Sequence, residues 1–375
     1  MDPKIKFVPS RKSVNFLYEA IYRINVGLDM PEEIAFNAFR EALLIKNSEK
    51  RATFMGILLN ECMAKKPTVE EVVSFIKAAF SLDNFCPENL NKLKLKKKVI
   101  GVGGSGKKGF KTANISSPAA IVASSFGINV AKICSRSVSS LTGSADFIEM
   151  LGANINIDAR DMISVLEKTG LGFFKIENQI PKFDLRYGGK FYAPNVLSFG
   201  LAGMILPFMP DSLLYGLSHP NIELSAKVFQ RFGYKNVMVV TNTDDGVHFL
   251  DELGIFGTTS IIGIRNGNLG KMVSFDSSDI LRLPKYTRDS IKPGKSKVDN
   301  IKLSVQVLCG KGKPAMEDIV CINAGTLLYL AGEASNLKQA YTACKRATKK
   351  KQPIEKLKEF IKATGGDEKT IDKYL

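Results

Sequence analysis

Apolar residues recur at helical spacing through the first part of the chain. Residues 12–80 carry this spacing from Phe16 to Ile21 and beyond, and no strand-like alternation interrupts them. Thr68 can cap a helix, and Glu71 three residues later completes a capping box. The pattern predicts four consecutive helices in this region.

The pattern changes at residue 92, where a lysine run passes into a short apolar strand and then into glycines. Beyond it, apolar segments alternate with helical patterns, which is typical of an α/β sheet domain. Further strands are predicted at residues 128–133, 237–241, 260–264 and 303–308. Helices are predicted at residues 118–126, 143–151, 222–232 and 315–330, with two more within 336–364. Residues 265–300 contain many Gly, Pro, Ser and Lys, which predicts a long loop.

Charge is the unusual property of the composition. The 375 residues include 53 Lys and Arg against 37 Asp and Glu, a formal charge of +16. Such an excess favours a nucleic acid, a membrane surface or a phosphorylated substrate as partner. No run of about 18 uncharged apolar residues could span a membrane, which argues against a membrane protein. The first residues lack the apolar core of a signal peptide, so we expect a cytoplasmic protein.

Cysteine and histidine offer little catalytic or metal chemistry. The six cysteines stand singly, without a CxxC pair, and are expected to be small buried side chains. Only two histidines are present, which argues against a metal site built from histidines and against a Ser-His-Asp triad. His248 lies near an acidic cluster, and we expect it to be structural.

A glycine-rich run offers the clearest candidate site. Residues 101–106, Gly-Val-Gly-Gly-Ser-Gly, follow a predicted strand and precede a helix that begins near Ser116. Glycines let backbone N–H groups approach a ligand, and a helix N-terminus binds anions. Asn114 and Ser117 flank the same helix start. The run is neither a Walker A loop nor a dinucleotide fingerprint. It predicts a phosphate-binding loop, with a tight strand-to-helix turn as the alternative.

A second polar cluster suits the same ligand. Residues 132–146 hold two cations, Lys132 and Arg136, among many hydroxyl groups. Cations and hydroxyls together favour phosphate oxygens, although an ordinary polar loop has a similar composition.

Adjacent carboxylates follow the strand predicted at 237–241. Asp244 and Asp245 come first, and Asp251 and Glu252 follow. Neighbouring carboxylates repel one another unless a cation lies between them, and Mg²⁺ is suited to one or two carboxylates plus phosphate oxygens. A solvated acidic turn is the alternative.

Taken in order, these segments resemble the anthranilate phosphoribosyltransferase family along nearly the whole chain. The resemblance is carried by the runs GVGGSG, NISS, RSVSSLTGSAD, FGLAGMILP, LDELG and EDIVCINAGTLLYLAGEASNLKQA. It implies a small N-terminal helical domain, residues 1–91, completed by a helix within 175–210. A larger α/β domain, residues 92–375, would hold a central, mainly parallel sheet flanked by helices. The family also implies a homodimer formed through the helical part.

The resemblance implies an activity and a set of site residues. The family transfers the 5-phosphoribosyl group of phosphoribosyl pyrophosphate to anthranilate in tryptophan biosynthesis. Its donor would contact Gly101, Gly103, Gly104, Gly106, Asn114, Ser116, Ser117, Lys132, Ser139 and Ser140. Its Mg²⁺ would be held by Ser116, Asp251 and Glu252. The residues expected to act directly in catalysis are Lys132, Asp251 and Glu252.

The sequence departs from the family pattern on the acceptor side. Ser135 stands where the family has an asparagine that meets the aromatic amine. Val196 lies near the place of a family arginine, with Arg186 close by as a substitute cation. The loop after the glycines is also about three residues longer and contains Lys107 and Lys108. We therefore expect an aromatic or heterocyclic acceptor other than anthranilate, with anthranilate as the alternative.

The charge leaves a competing function open. Residues 92–111 hold eight lysines and no acid, and residues 338–362 hold nine cations against two glutamates. The first segment could steer a polyanionic donor, whereas the second suits either a solvated helix face or a polyanionic partner. A nucleic-acid-binding relative on the same fold is thus possible but not favoured, because a pure binder needs no metal-binding carboxylate pair. A nucleoside phosphorylase would need a different phosphate loop.

Overall fold

The computed structural model describes residues 15–136, 142–189 and 191–375, so the predicted donor contacts Ser139 and Ser140 lie outside the described residues. The chain begins with the helices α1 (Phe16–Asn25), α2 (Glu32–Leu44), α3 (Ser48–Lys65) and α4 (Val69–Ser81). They confirm the four predicted helices, and Thr68 and Glu71 form the predicted capping box of α4.

In the part of the chain that the structure describes, eight strands and eleven further helices follow. The strands are β1 (Val99–Gly104), β2 (Asn129–Cys134), β3 (Leu171–Lys175), β4 (Ser212–Gly216), β5 (Val237–Thr243), β6 (Thr258–Arg265), β7 (Asn268–Leu269) and β8 (Val273–Phe275). The helices are α5 (Ser116–Ser124), α6 (Ser144–Met150), α7 (Ala159–Thr169), α8 (Ile176–Gln179), α9 (Pro181–Tyr187), α10 (Ile222–Arg231), α11 (Ser277–Leu281), α12 (Lys297–Leu308), α13 (Pro314–Ala331), α14 (Leu337–Lys349) and α15 (Gln352–Ala363). Short 3-10 helices lie at Pro87–Asn89, Val196–Phe199, Leu201–Gly203, Arg288–Ile291 and Glu368–Tyr374.

The strands form one sheet in the order β3-β2-β1-β4-β5-β6-β7, with β8 also paired to β6. The first five strands of this order are parallel, and the pairings of β6 are antiparallel. This confirms the expected α/β fold with a mainly parallel sheet. The chain leaves β1 for β2 on one side and later returns to β4 on the other. Open parallel sheets bind ligands beyond the carboxyl ends of their strands at such a reversal.

Both faces of the sheet are buried, as parallel strands require. On β4, Leu213 and Tyr215 join an apolar cluster with the N-terminal helices and α10, whereas Leu214 joins a second cluster with α5 and α13. Residues 196–205 also pack in the first cluster, beside the N-terminal helices. The division into domains at residue 91 stays a prediction.

Several local predictions were wrong or incomplete. Residues 303–308 belong to α12, because Ile301, Val305 and Leu308 share one buried face at helical spacing. The predicted loop at 265–300 contains β7, β8 and α11. The sequence pattern predicts neither β3 nor β4. These are five-residue strands buried along their whole length, which lack the alternation that marks a half-exposed strand.

Five of the six cysteines are buried, as expected, and Cys86 is the exposed exception. Within the described part of the chain, no helix combines the length and apolar character needed to cross a membrane.

Candidate active site

A cavity of about 720 Å³ opens at the carboxyl ends of β1 and β2. The loop that joins β1 to α5 forms one side of it, and the segment after β5 forms another. The predicted site residues that line this cavity are Gly104, Gly106, Asn114, Ser116, Lys132, Ser135, Asp251 and Glu252. The fold thus brings together residues that are separated by almost 150 positions.

The glycines of the loop have two different roles. A side chain at Gly104 would place its Cβ 2.7 Å from Asp251 Oδ2, so only glycine permits this approach. Gly106 has a φ of +60° and faces open space, and its N–H donates to Asp251 Oδ2 at 2.9 Å. Gly101, in contrast, packs within β1, where a Cβ would lie 3.0 Å from Leu213.

That all four glycines contact the donor stays a prediction, and the structure places Gly101 away from the cavity. Its backbone is inside the sheet and does not line the cavity. A strand buried on both sides needs a small residue at this position for packing. Gly103 lines only a smaller cavity that adjoins the large one near Asp251.

The start of α5 supplies the next polar groups. Asn114 lies just before the helix, and its side-chain oxygen accepts a hydrogen bond from the Ser117 backbone at 3.3 Å. Ser116 lines both cavities. Ser117 is completely buried and does not line the large cavity, and its donor contact stays a prediction. Ser117 belongs to the first turn of α5 and is on its buried side.

Asp251 and Glu252 are held rigidly. Before them, Asn242 and Leu250 exchange two backbone hydrogen bonds. After them, the Asn323 side chain on α13 bonds both the N–H and the carbonyl of Leu253, at 3.1 and 2.9 Å. Two anchors from different elements thus fix the acidic pair at the floor of the cavity.

Burial makes this pair electrostatically unusual. Asp251 is 8% exposed and Glu252 is 6% exposed. Burial and the nearby Asp251 charge raise the pKa of Glu252 to about 8. Burial alone would also raise the pKa of Asp251, but the Lys108 charge and hydrogen bonds from Glu252 and the Gly106 N–H lower it. The pair therefore requires a cation when both groups are ionised.

Lys108 provides such a cation in this structure. Its Nζ lies 2.9 Å from Glu252 Oε1 and 2.8 Å from Glu252 Oε2. It is also 3.5 Å from Asp251 Oδ1 and donates to Thr112 at 3.0 Å. Burial alone would lower the pKa of Lys108, but the two carboxylates raise it. The lengthened loop was visible in the sequence, whereas this contact was not.

The acidic pair also has the donor groups that Mg²⁺ prefers. Asp251 Oδ1 is buried and accepts no hydrogen bond of ordinary geometry from any residue that the structure describes. Ser116 adds a hydroxyl at the same cavity. Two carboxylates and a hydroxyl, with space for phosphate oxygens, fit Mg²⁺. No cluster of three or more His, Cys, Asp or Glu side chains suited to a metal occurs in residues 15–136, 142–189 and 191–375.

Lys132 lies on β2 and reaches the cavity from beneath. Its side chain is buried, and its Nζ donates to the Ile133 carbonyl at 2.7 Å. Burial lowers the pKa of Lys132, partly opposed by the negative charges around it. A phosphate in the cavity would stabilise its charged form.

The predicted acceptor residues are only partly assembled. Ser135 lines the cavity. Arg186 Nη1 donates instead to the Ile45 carbonyl at 3.4 Å, and Val196 is fully buried in the core. The face of α9 that lines the cavity carries Phe183 and Tyr187. Successive residues of an α-helix are about 100° apart around its axis, so Arg186 lies on a different face from Tyr187. Neither Arg186 nor Val196 lines the cavity, and their contact with an acceptor stays a prediction.

An aromatic wall lies on the α9 side of the cavity. The rings of Phe183 and Tyr187 stack with centroids 5.1 Å apart. The Tyr187 hydroxyl accepts hydrogen bonds from Lys107 Nζ at 2.8 Å and Asn195 Nδ2 at 3.0 Å. Burial lowers the pKa of Lys107 to about 7. The four-residue spacing of the two aromatic side chains was a usable sequence signal that the prediction missed.

The other acidic residues near β5 are already neutralised. Arg288 Nε donates to Asp244 Oδ1 at 2.7 Å, and Arg288 Nη2 lies 2.6 Å from Asp245 Oδ2. Asp245 also pairs with His248 Nδ1 at 2.7 Å. Hydrogen bonds from His248 and Val247 hold the pKa of Asp245 well below its usual range. This exposed cluster braces the surface, and none of its members lines the cavity.

Comparison with known proteins shows which family this chain resembles. The model of the glycosyl transferase family, a/b domain, matches residues 96–350. An anthranilate phosphoribosyltransferase of Idiomarina loihiensis is 33% identical over 258 residues, covering 68% of this chain and 74% of the relative. The enzyme of the same name from Pseudoalteromonas translucida is 31% identical over 265 residues, covering 70% and 72%.

Solved structures share the fold at lower identity. Anthranilate phosphoribosyltransferase from Thermus thermophilus has a TM-score of 0.73 at 22% identity, covering 92% of this chain and 99% of that one. The Saccharomyces cerevisiae enzyme, in complex with PRPP and Mg, has a TM-score of 0.77 at 18% identity, covering 94% and 99%. With the family model and the two bacterial relatives, these observations establish that the chain belongs to the anthranilate phosphoribosyltransferase family.

Proposed function

We propose that this phosphoribosyltransferase is Mg²⁺-dependent and moves the 5-phosphoribosyl group of phosphoribosyl pyrophosphate to a ring or amine nitrogen of an aromatic or heterocyclic acceptor. The observation that supports it is one cavity lined by the glycine loop, the start of α5, a buried lysine and a buried carboxylate pair. The complex of the yeast relative with PRPP and Mg supports the same donor and metal.

The expected reaction is displacement of pyrophosphate from C1 of the ribose. The protein's main tasks are to position the donor and to stabilise the charge that grows on the leaving group. The N–H of Gly106 and the side chains of Asn114 and Ser116 would bind phosphate oxygens, and Lys132 would add a positive charge. Mg²⁺, held by Ser116, Asp251 and Glu252, would supply further positive charge to the pyrophosphate.

We propose that the acceptor is not anthranilate. Ser135 has a shorter side chain than the asparagine of the family pattern, and Arg186 faces Ile45 instead of the cavity. The stacked Phe183 and Tyr187 offer a flat surface to an aromatic ring. A site that lacks the partners of an amine and a carboxylate discriminates weakly in favour of a substrate that carries them. Anthranilate, the substrate named for the relatives, is the second candidate and would place the enzyme in tryptophan biosynthesis.

The test is release of pyrophosphate by the purified protein with donor and Mg²⁺. Anthranilate is compared with a panel of aromatic amines and nucleobases at matched concentrations. We expect turnover with at least one other acceptor to exceed turnover with anthranilate. Efficient use of anthranilate would contradict the changed acceptor, and no transfer to any compound would contradict the proposed reaction itself.

We also propose a homodimer formed through the helical part. Helix α1 and the turn after it expose the large side chains of Tyr18, Tyr22, Val26 and Leu28. Exposed apolar patches of this kind mark association surfaces. Light scattering should give twice the chain mass, and Tyr22→Lys should shift the protein towards monomer. A monomeric wild-type protein would contradict this proposal.

A further inference from the structure

The ammonium group of Lys108 occupies the position where a metal would meet the acidic pair. It contacts both Glu252 oxygens and approaches Asp251 Oδ1, while Thr112 holds it from the other side. Lys108 is 21% exposed, so the ion pair is largely shielded from water. The residue belongs to the loop between Gly106 and Asn114, where the chain is longer than the family pattern.

Two cations cannot share these oxygens. Mg²⁺ binds carboxylate oxygens at about 2.0–2.1 Å, and the Lys108 ammonium already lies 2.8–2.9 Å from both oxygens of Glu252. An ion on the same oxygens would be in contact with the ammonium and would repel it strongly at low local polarity. Metal binding therefore requires Lys108 to move.

The same carboxylates also engage the phosphate loop. Asp251 Oδ2 accepts the Gly106 N–H, which is one of the groups expected to bind a phosphate. In this state the acidic pair holds both a backbone donor and a side-chain cation of the loop. Moving the Asp251 carboxylate towards a metal would release the Gly106 N–H for another oxygen.

We propose that Lys108 is a tethered cation that competes with the divalent metal for Asp251 and Glu252. In the absence of donor it neutralises the pair and weakens metal binding. When the metal displaces it, the pyrophosphate of the donor offers the ammonium a new partner in the same cavity. Metal and donor should therefore strengthen each other's binding, because each makes the displacement of Lys108 less costly. The inference rests on the proposed function for the identity of the metal.

The test measures metal binding directly, without donor or acceptor. Mn²⁺ serves as the paramagnetic probe, and free Mn²⁺ is measured by electron paramagnetic resonance with the full chain. Lys108→Met should bind Mn²⁺ at least about tenfold more tightly than wild type, because the competing charge is gone. Lys108→Arg should remain close to wild type, since it keeps a cation in the loop.

Lys111→Met is the matched control, because it removes the same charge from an exposed position of the same loop. We expect it to change Mn²⁺ affinity by less than about threefold, as screened surface charges have small effects. Equal affinity in wild type and Lys108→Met would overturn the proposal. An equal gain in Lys111→Met would also overturn it, since the effect would then be general charge.

Stability provides a second readout. With a chelator present, Lys108→Met leaves two buried carboxylates without a cation, so its melting temperature should be lower than that of wild type. Adding Mn²⁺ should raise its melting temperature more than that of wild type, by linkage to metal binding. If the variant is unfolded in chelator, recovery of the fold with Mn²⁺ supports the proposal. A variant that stays unfolded at millimolar Mn²⁺ would overturn it.

This design separates the inference from the proposed reaction. Metal affinity and melting temperature are measured without turnover. If the protein transfers no phosphoribosyl group but Lys108→Met binds Mn²⁺ more tightly than wild type, the tethered cation is supported and the proposed function is contradicted. If the protein transfers the group and Lys108→Met shows no gain in Mn²⁺ affinity, the proposed function is supported and the tethered cation is contradicted.

Discussion

Lys107 and Lys108 are neighbours in sequence, yet they belong to two chemically opposite regions of the cavity. Lys108 meets Glu252 and Asp251, which raise its pKa. Lys107 meets the Tyr187 hydroxyl instead, and burial lowers its pKa to about 7. The acidic region, around Asp251 and Glu252, suits a metal and a polyanion. The aromatic region, around Phe183 and Tyr187, suits a flat, weakly polar ring.

The backbone explains how adjacent side chains diverge. Gly106 and Lys107 both adopt left-handed conformations, with φ of +60° and +55°. Such a conformation is uncommon for lysine and turns the chain sharply. The comparison teaches that the charge of a loop says little about its function until the partner of each side chain is known. Variants of each region should affect metal, donor or acceptor separately.

The strongest test removes the charge of the acidic pair. Asp251→Asn with Glu252→Gln should lower kcat/KM for transfer about 10³-fold or more, because the pyrophosphate loses its metal-held stabilisation. The matched control is Asp244→Asn with Asp245→Asn, whose carboxylates pair with Arg288 outside the cavity. It should stay within about threefold of wild type. Similar losses in both double variants would remove the distinction between the two acidic clusters.

The second test fills the space beside Asp251. In Gly104→Ala the new Cβ would lie 2.7 Å from Asp251 Oδ2, so the carboxylate must shift. Donor affinity, measured by calorimetry with metal present, should fall at least about tenfold. Gly56→Ala serves as control, because its Cβ would meet Phe191 at an ordinary 3.6 Å. Unchanged donor affinity in Gly104→Ala would show that the loop and the pair need not approach so closely.

The third test concerns the aromatic region. Tyr187→Phe keeps the stack with Phe183 and removes the hydroxyl that accepts from Lys107 and Asn195. We expect the KM of the acceptor to rise about three- to tenfold, the scale of one or two hydrogen bonds, with the KM of the donor unchanged. Parallel changes in both KM values would contradict the separation into two regions.

The fourth test measures stability instead of activity, through its dependence on pH. Lys107 has a folded-state pKa of about 7 against an ordinary value of 10.5. Between these values the unfolded chain binds the extra proton, so this group makes stability rise with pH, by at most about 1.4 kcal/mol per pH unit. Urea unfolding at several pH values in this window should show a shallower rise for Lys107→Met. An identical slope of unfolding free energy against pH in both proteins would mean that Lys107 is well solvated in the folded state.

The basic C-terminal segment, residues 338–362, forms contacts within the fold. Lys345 pairs with Glu317 and with Asp318, the latter at 2.7 Å. Lys356 donates to the Thr169 carbonyl at 2.8 Å. Part of the excess charge predicted for a polyanionic partner therefore ties α14 and α15 to the rest of the fold.

The sequence by itself determined the class of the fold and the position of its glycine-rich loop. Helical spacing and the capping box at Thr68 predicted the first four helices, because these signals are local in the chain. The glycines and the adjacent carboxylates marked Gly104, Gly106 and the Asp251 pair for the same reason. All of these line or build the large cavity.

Only the tertiary structure decided which neighbours of these motifs reach the cavity. Ser117 points into the core, Arg186 faces Ile45, and Val196 is buried, because the face on which a side chain lies depends on how its element packs. Whether Lys108 meets a carboxylate is decided by two segments about 140 residues apart. Contacts of this range arise from topology, and no local pattern in the sequence encodes them.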